Sequence, residues 1–126
     1  MANFSLAHTT KTYPRLPFER MKDDVLGTSY SLSLVFVGAD RARALNLAHR
    51  KKTYVPNVLS FPLDAKTGEI YITPVVAARE AKARGMTVRG YVGFLFIHGL
   101  LHLKGMAHSD TMEKAEHAYC SRYNLT

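Results

Sequence analysis

The sequence holds a single cysteine, Cys120, among 126 residues. An internal disulfide is therefore excluded, and so is a zinc site built from cysteines alone. Acidic residues are scarce beside basic ones, 10 Asp and Glu against 17 Lys and Arg, which leaves a net charge of +7 with histidine neutral. A small chain this basic attracts polyanions such as RNA, DNA or an anionic membrane face, and its charge says nothing about fold. Long hydrophobic runs are missing too. The most apolar stretch, Tyr91 to Leu103, is 13 residues long and contains His98, whereas a membrane span needs about 20. The opening segment MANFSLAHTT lacks a basic cluster followed by an apolar run, so no signal peptide is expected and a cytoplasmic protein is the default. Repeats, low-complexity tracts and long linkers are absent, and the length suits one domain over residues 1–126. Hydrophobic residues make up 47% and charged residues 21%, enough for a packed core.

What is present reads as alternating strands and helices. Asn3 to His8 can form a short edge strand, and Pro14 and Pro17 mark a loop. Phe18 to Leu26 reads as a helix that Gly27 stops. Tyr30 to Val37 passes from alternation into a continuous apolar run, the pattern of an inner strand. Asp40 suits the N-cap of a helix running to about Arg50. Pro56 to Phe61 and Glu69 to Thr73 read as strands around a turn at Leu63 to Gly68. Thr73 precedes Pro74 at the favoured first position of an alanine-rich helix that reaches Gly85. Val88 to Lys104 is apolar nearly all round, the mark of a buried central helix. A last helix starts near Ser109 or Asp110, with Asp110 and Glu113 at capping-box spacing, and ends near Tyr123. The fold class is α/β (α+β): a mixed sheet of three or four strands packed with about four helices.

The informative segment is Phe96 to Asp110, FIHGLLHLKGMAHSD. His98 and His102 are four apart on the central helix, which places them on one face one turn apart. Gly105 accepts positive φ and lets the chain turn sharply, so that His108 can swing back beside them. A lone histidine in an apolar helix is usually a hydrogen-bonded core residue. Three at this spacing differ, because six histidines in a chain of this length give HxxxHxxxxxH by chance on the order of once in a hundred chains. Two imidazoles buried among Phe94, Phe96, Ile97, Leu101 and Leu103 also need partners for their nitrogens. Three neutral imidazoles leave a tetrahedral ion one open position, the arrangement of catalytic zinc, where a bound water acquires a pKa near 7. Zinc is not separable from other imidazole-loving ions on these residues. The spacing equals that of the metzincin proteases, HExxHxxGxxH, but Gly99 stands where their general-base glutamate would be. Peptide hydrolysis by that mechanism is therefore disfavoured.

With those residues in hand, HGLLHLKGMAH resembles the HGxLHLxGxDH signature of the YbeY family of rRNA-maturation endoribonucleases. Leu45, Asn46 and Arg50 match its LNxxxR pattern, Asn57 to Pro62 its VLSFP strand, and Gly68-Glu69-Ile70 the GDI that opens its next strand. The likeness runs from about Tyr30 to His117. It implies a small zincin-like α/β domain and one Zn2+ ion held by His98, His102 and His108. It further implies Arg50 as the functional arginine, cleavage of single-stranded RNA, and processing of the 3′ end of small-subunit rRNA. One departure stands at the third histidine, where Ala107 replaces the family's aspartate. Loss of a carboxylate that orients a ligand typically costs about 10–100-fold in affinity, and Asp110 is near enough in sequence to stand in.

Arg50, next to Lys51 and Lys52, is at first sight a solvated basic helix end. With the resemblance it becomes a phosphate contact, since a guanidinium grips phosphate through two hydrogen bonds. Arg79, Lys82, Arg84 and Arg89 make a second basic region. Arg79 and Lys82, with Lys51 and Lys52, are RNA-binding candidates, whereas Glu80 and Arg84 are spaced as an i,i+4 surface pair. Ser60 has no His–Asp grouping around it and reads as strand backbone near the site. Attack on phosphorus by a metal-activated water or by the ribose 2′-OH are both open. The alternatives are a non-catalytic RNA-binding ribosome-assembly factor with a structural metal, docked on rRNA or a small-subunit protein, and a zinc hydrolase of another substrate class.

Overall fold

A computed structural model describes residues 3–125. Within them the chain forms β1 (Phe4–His8), α1 (Phe18–Leu26), β2 (Ser31–Phe36), α2 (Ala39–Arg50), β3 (Val58–Asp64), β4 (Thr67–Ile72), α3 (Pro74–Ala83), α4 (Val88–Leu103) and α5 (Asp110–Arg122). The sheet order is β1-β2-β4-β3; β1, β2 and β4 run parallel, and β3 pairs antiparallel with β4 at the edge. Five helices accompany it, one for each helical segment of the sequence and one more than the expected total of about four, with α1, α3 and α5 packed on α4.

The two inner strands alternate strictly between half-buried and buried positions. Leu32, Leu34 and Phe36 of β2 and Ile70 and Ile72 of β4 are buried in one core cluster with Leu95, Phe96, Ile97 and Leu100 of α4. The opposite face of the sheet carries Tyr71 and Phe61, whose rings meet edge-on at 5.9 Å, and His49 of α2 lies 4.7 Å from Phe61. α4 is the hub: it touches β3, β4, α1, α3 and α5. Ten of its sixteen residues are buried, so its apolar circumference is explained by neighbours on every side. Fully burying a side chain such as Phe96 contributes about 1.5–3 kcal/mol, which fixes this helix firmly under the site.

Several element ends differ from the sequence expectations. β3 begins at Val58 and continues past Pro62 to Asp64. Proline does not stop it because β3 is an edge strand, where a missing N–H breaks no ladder. α2 starts at Ala39 with Gly38 as N-cap and no side-chain cap, so Asp40 lies in its first turn, where its charge still suits the helix dipole. α5 is capped by Ser109, whose hydroxyl accepts from the Met112 N–H at 3.2 Å, rather than by Asp110. Thr87 caps α4 by accepting from the Gly90 N–H at 3.0 Å.

Candidate metal centre

α4 carries His98 and His102 side by side one turn apart, and their ring centroids are 4.5 Å apart. The helix ends at Leu103, and Gly105 takes φ +102°, which reverses the chain. His108 thereby returns to within 5.1 Å of the His98 ring and 4.8 Å of the His102 ring. One nitrogen from each of the three rings lies within 4.8 Å of the others, a group able to hold a metal ion. Tetrahedral zinc with bonds of about 2.0–2.1 Å sets its ligand nitrogens about 3.3 Å apart, inside that spread.

The ring nitrogens facing away from the centre decide the tautomers. The Met106 carbonyl can only accept, so His102 Nδ1 donates to it at 3.1 Å. His98 Nδ1 donates to Glu116 Oε2 at 2.6 Å. Both Nε2 atoms are then lone-pair acceptors, and they face each other at 3.0 Å. Two acceptors at that distance repel unless a cation lies between or beside them, so the donor set fits a metal ion. The His102 pKa is pushed below its ordinary 6.5, first by burial and then by the neighbouring imidazoles of His98 and His108, which oppose a further positive charge. Its imidazole is accordingly neutral at pH 7, the form that binds metal.

Gly99 also has a structural reason to be there. A Cβ at this position would sit 2.8 Å from Ser60 Oγ and 3.1 Å from Ile70 Cδ1. The Ser60 hydroxyl donates to the Gly99 carbonyl at 3.2 Å, so α4 and β3 touch backbone to side chain where a protease would place its glutamate. Ser60 is thus a packing contact that also lines the site.

Two clefts meet at the imidazoles. The larger, about 460 Å³, is lined by Arg50, Tyr54, Ser60 and all three histidines, with no carboxylate in its wall. Arg50 projects from the last turn of α2, and its guanidinium donates to Asn46 Oδ1 at 3.3 Å. Asn46 is fully buried and donates onward to the Tyr54 carbonyl at 3.0 Å, which ties the following loop to the same helix. The second cleft, about 320 Å³, shares His98 and His108 but is walled by α5 and by Arg84. Lys51, Lys52, Arg79 and Lys82 are exposed and line neither cleft.

Two features depart from the sequence pattern. Glu116 supplies the carboxylate that holds His98, whereas Asp110 is exposed at the start of α5 and Ala107 is exposed in the turn. The signal available was the stripe Met112, Glu116, Cys120, an acid among the buried positions of α5. Glu80 does not pair with Arg84 among the described residues. It faces inward, where Oε1 accepts from Tyr91 Oη at 2.7 Å and from Asn57 Nδ2 at 2.9 Å. Arg84 lies instead over the Tyr91 ring at 5.2 Å.

A mixed four-stranded sheet under a buried helix, with three converging imidazoles at its edge, defines a small α/β protein able to hold a metal ion. The fold matches the solution structure of TM1509 from Thermotoga maritima with a TM-score of 0.70 at 21% identity, over 95% of this chain and 88% of that one. The family described as Endoribonuclease YbeY matches residues 6–123. Relatives carrying that name include one from Polynucleobacter asymbioticus, 36% identical over 104 residues, covering 75% of this chain and 67% of the relative. The one from Thiobacillus denitrificans is also 36% identical over 104 residues, 75% of this chain and 71% of the relative. The chain belongs to the YbeY family. No helix among the described residues is long and apolar enough to cross a membrane.

Proposed function

We propose that this protein is a zinc-dependent endoribonuclease that cuts single-stranded RNA in the cytoplasm, and that its substrate is rRNA at the 3′ end of the small subunit. Its relatives are named endoribonucleases, and the +7 charge suits an RNA substrate. The observation that carries the proposal is the carboxylate-free cleft in which Arg50 and the three histidines face one space. A phosphodiester is repelled by carboxylates and held by a guanidinium, so this cleft has the chemistry its substrate requires.

His98, His102 and His108 would hold the ion. Bound there, it would supply Lewis-acid polarisation of a phosphoryl oxygen and a lowered pKa for water. Arg50 grips a non-bridging oxygen of the same phosphate and stabilises the charge added in the transition state. Asn46 keeps the guanidinium in place, and Glu116 keeps His98 in the tautomer that points its lone pair inward. Lys51, Lys52, Arg79 and Lys82 would hold the RNA at longer range.

A second role has one specific observation behind it. Ala107 stands in the family's aspartate position, which suits a ribosome-assembly factor whose metal is structural. Assays on unstructured RNA and on a peptide, with and without a chelator, separate these roles. RNA cleavage lost with the chelator and with Arg50→Ala supports the nuclease. RNA binding without metal-dependent cleavage contradicts it and supports the assembly factor.

A further inference from the structure

The two clefts that meet at the imidazoles differ in charge and in lining. The Arg50 cleft has a guanidinium and no carboxylate. The second carries Glu113 and Glu116 in its wall beside the single guanidinium of Arg84. A phosphate seated there would meet two carboxylates beside one guanidinium, so the cleft suits RNA backbone less well than the Arg50 cleft does. Among its polar residues the lining includes Leu95, Met112 and the half-buried ring of Phe94, none of which lines the Arg50 cleft. That ring lies nearly parallel to Tyr91, at 18° and 6.0 Å, and 6.2 Å from His98. It places an aromatic surface one helical turn before a proposed metal ligand. Glu116 is engaged by His98, whereas Glu113 is exposed and makes no ion pair among the described residues. The cleft's volume, about 320 Å³, falls within the ~300–1,000 Å³ typical of small-ligand sites.

One part of an RNA chain matches this lining: a flat base, apolar on its faces and carrying amino donors on its edge. We propose that the second cleft is a nucleobase subsite. It takes the unpaired base of a nucleotide adjoining the scissile phosphate, with Phe94 against the base face and the Glu113 carboxylate accepting from an exocyclic amino group. Adenine, cytosine and guanine carry such a group, whereas uracil offers only its ring N3–H, set further back on the edge, so the subsite favours the amino-bearing bases. The Arg50 cleft then holds backbone and the second cleft holds base, with the imidazoles between them. This subsite rests on the RNA-cleaving role proposed above.

The test uses a nuclease-resistant 2′-O-methyl hexanucleotide carrying one 2-aminopurine, whose fluorescence drops when it stacks, moved through each position in turn. Binding to the full chain should quench one position, and Phe94→Leu should remove most of that quench. With each natural base at that position, uracil should bind about tenfold more weakly than the amino-bearing bases. Glu113→Gln, an exposed and fold-neutral change, should bring the four within about twofold. No quenched position, or a quench and base preference unmoved by both variants, would overturn the subsite. Cleavage of the unmodified hexanucleotide is followed in parallel. Quench retained without cleavage supports the subsite and sinks the nuclease role alone.

Discussion

Glu116 Oε2 stands 2.6 Å from His98 Nδ1, joining two helices across eighteen residues of sequence. The carboxylate fixes the ring's tautomer and raises the basicity of the nitrogen that faces His102 and His108. Glu116→Ala should lower zinc affinity by about 10–100-fold, measured by competition with a chromophoric chelator. Glu116→Gln, which keeps an accepting oxygen, should lose less. Equal affinity in all three proteins would contradict the role given to this contact.

Gly99 packs where side chain is forbidden. Gly99→Ala should destabilise the protein by about 1–3 kcal/mol through overpacking against Ser60 and Ile70, seen as a lower urea midpoint. Adding Ser60→Gly should recover part of the loss, because it removes the atom that the new methyl group meets. A Gly99→Ala protein as stable as the parent would show that the α4–β3 contact has slack.

Burial, reinforced by the nearby Glu116 charge, pushes the Cys120 thiol up to about 11. At pH 8 it is protonated and inaccessible, so alkylation by iodoacetamide should be slow in the native protein and should accelerate on unfolding. Rapid labelling of native protein at pH 8 would contradict the packing of α5.

The depressed pKa of His102 has a signed consequence for stability. The folded state resists the proton that the unfolded chain accepts near pH 6.5. The unfolded state therefore binds more protons, and metal-free protein loses stability as pH falls from 7.5 through 6.5. Urea titrations across that range should show the loss, and His102→Gln should flatten it. Parallel pH curves for the two proteins would contradict the assignment.

Much of this architecture is legible locally. Gly27, at φ +88°, stops α1 where glycine placement indicates, and α4 runs from Val88 to Leu103 with Gly105 turning the chain after it. The histidine spacing is local as well, which is why the convergence of three rings can be read from a fifteen-residue segment. What stays hidden depends on contacts between distant segments. Glu80 has i,i+4 spacing to Arg84, but a buried phenol and an amide 23 residues away compete for its carboxylate and win. Glu116 meets His98 only because α5 packs on α4. Pro62 reads as a strand end until the sheet order shows that its strand has an open edge.

The central claim is that His98, His102 and His108 converge on one divalent ion. Calorimetric titration of the metal-stripped protein with zinc tests it most directly. One ion per chain should bind the parent, and His102→Ala should lose that stoichiometric site while keeping its fold. Undiminished one-to-one binding by His102→Ala would contradict the account.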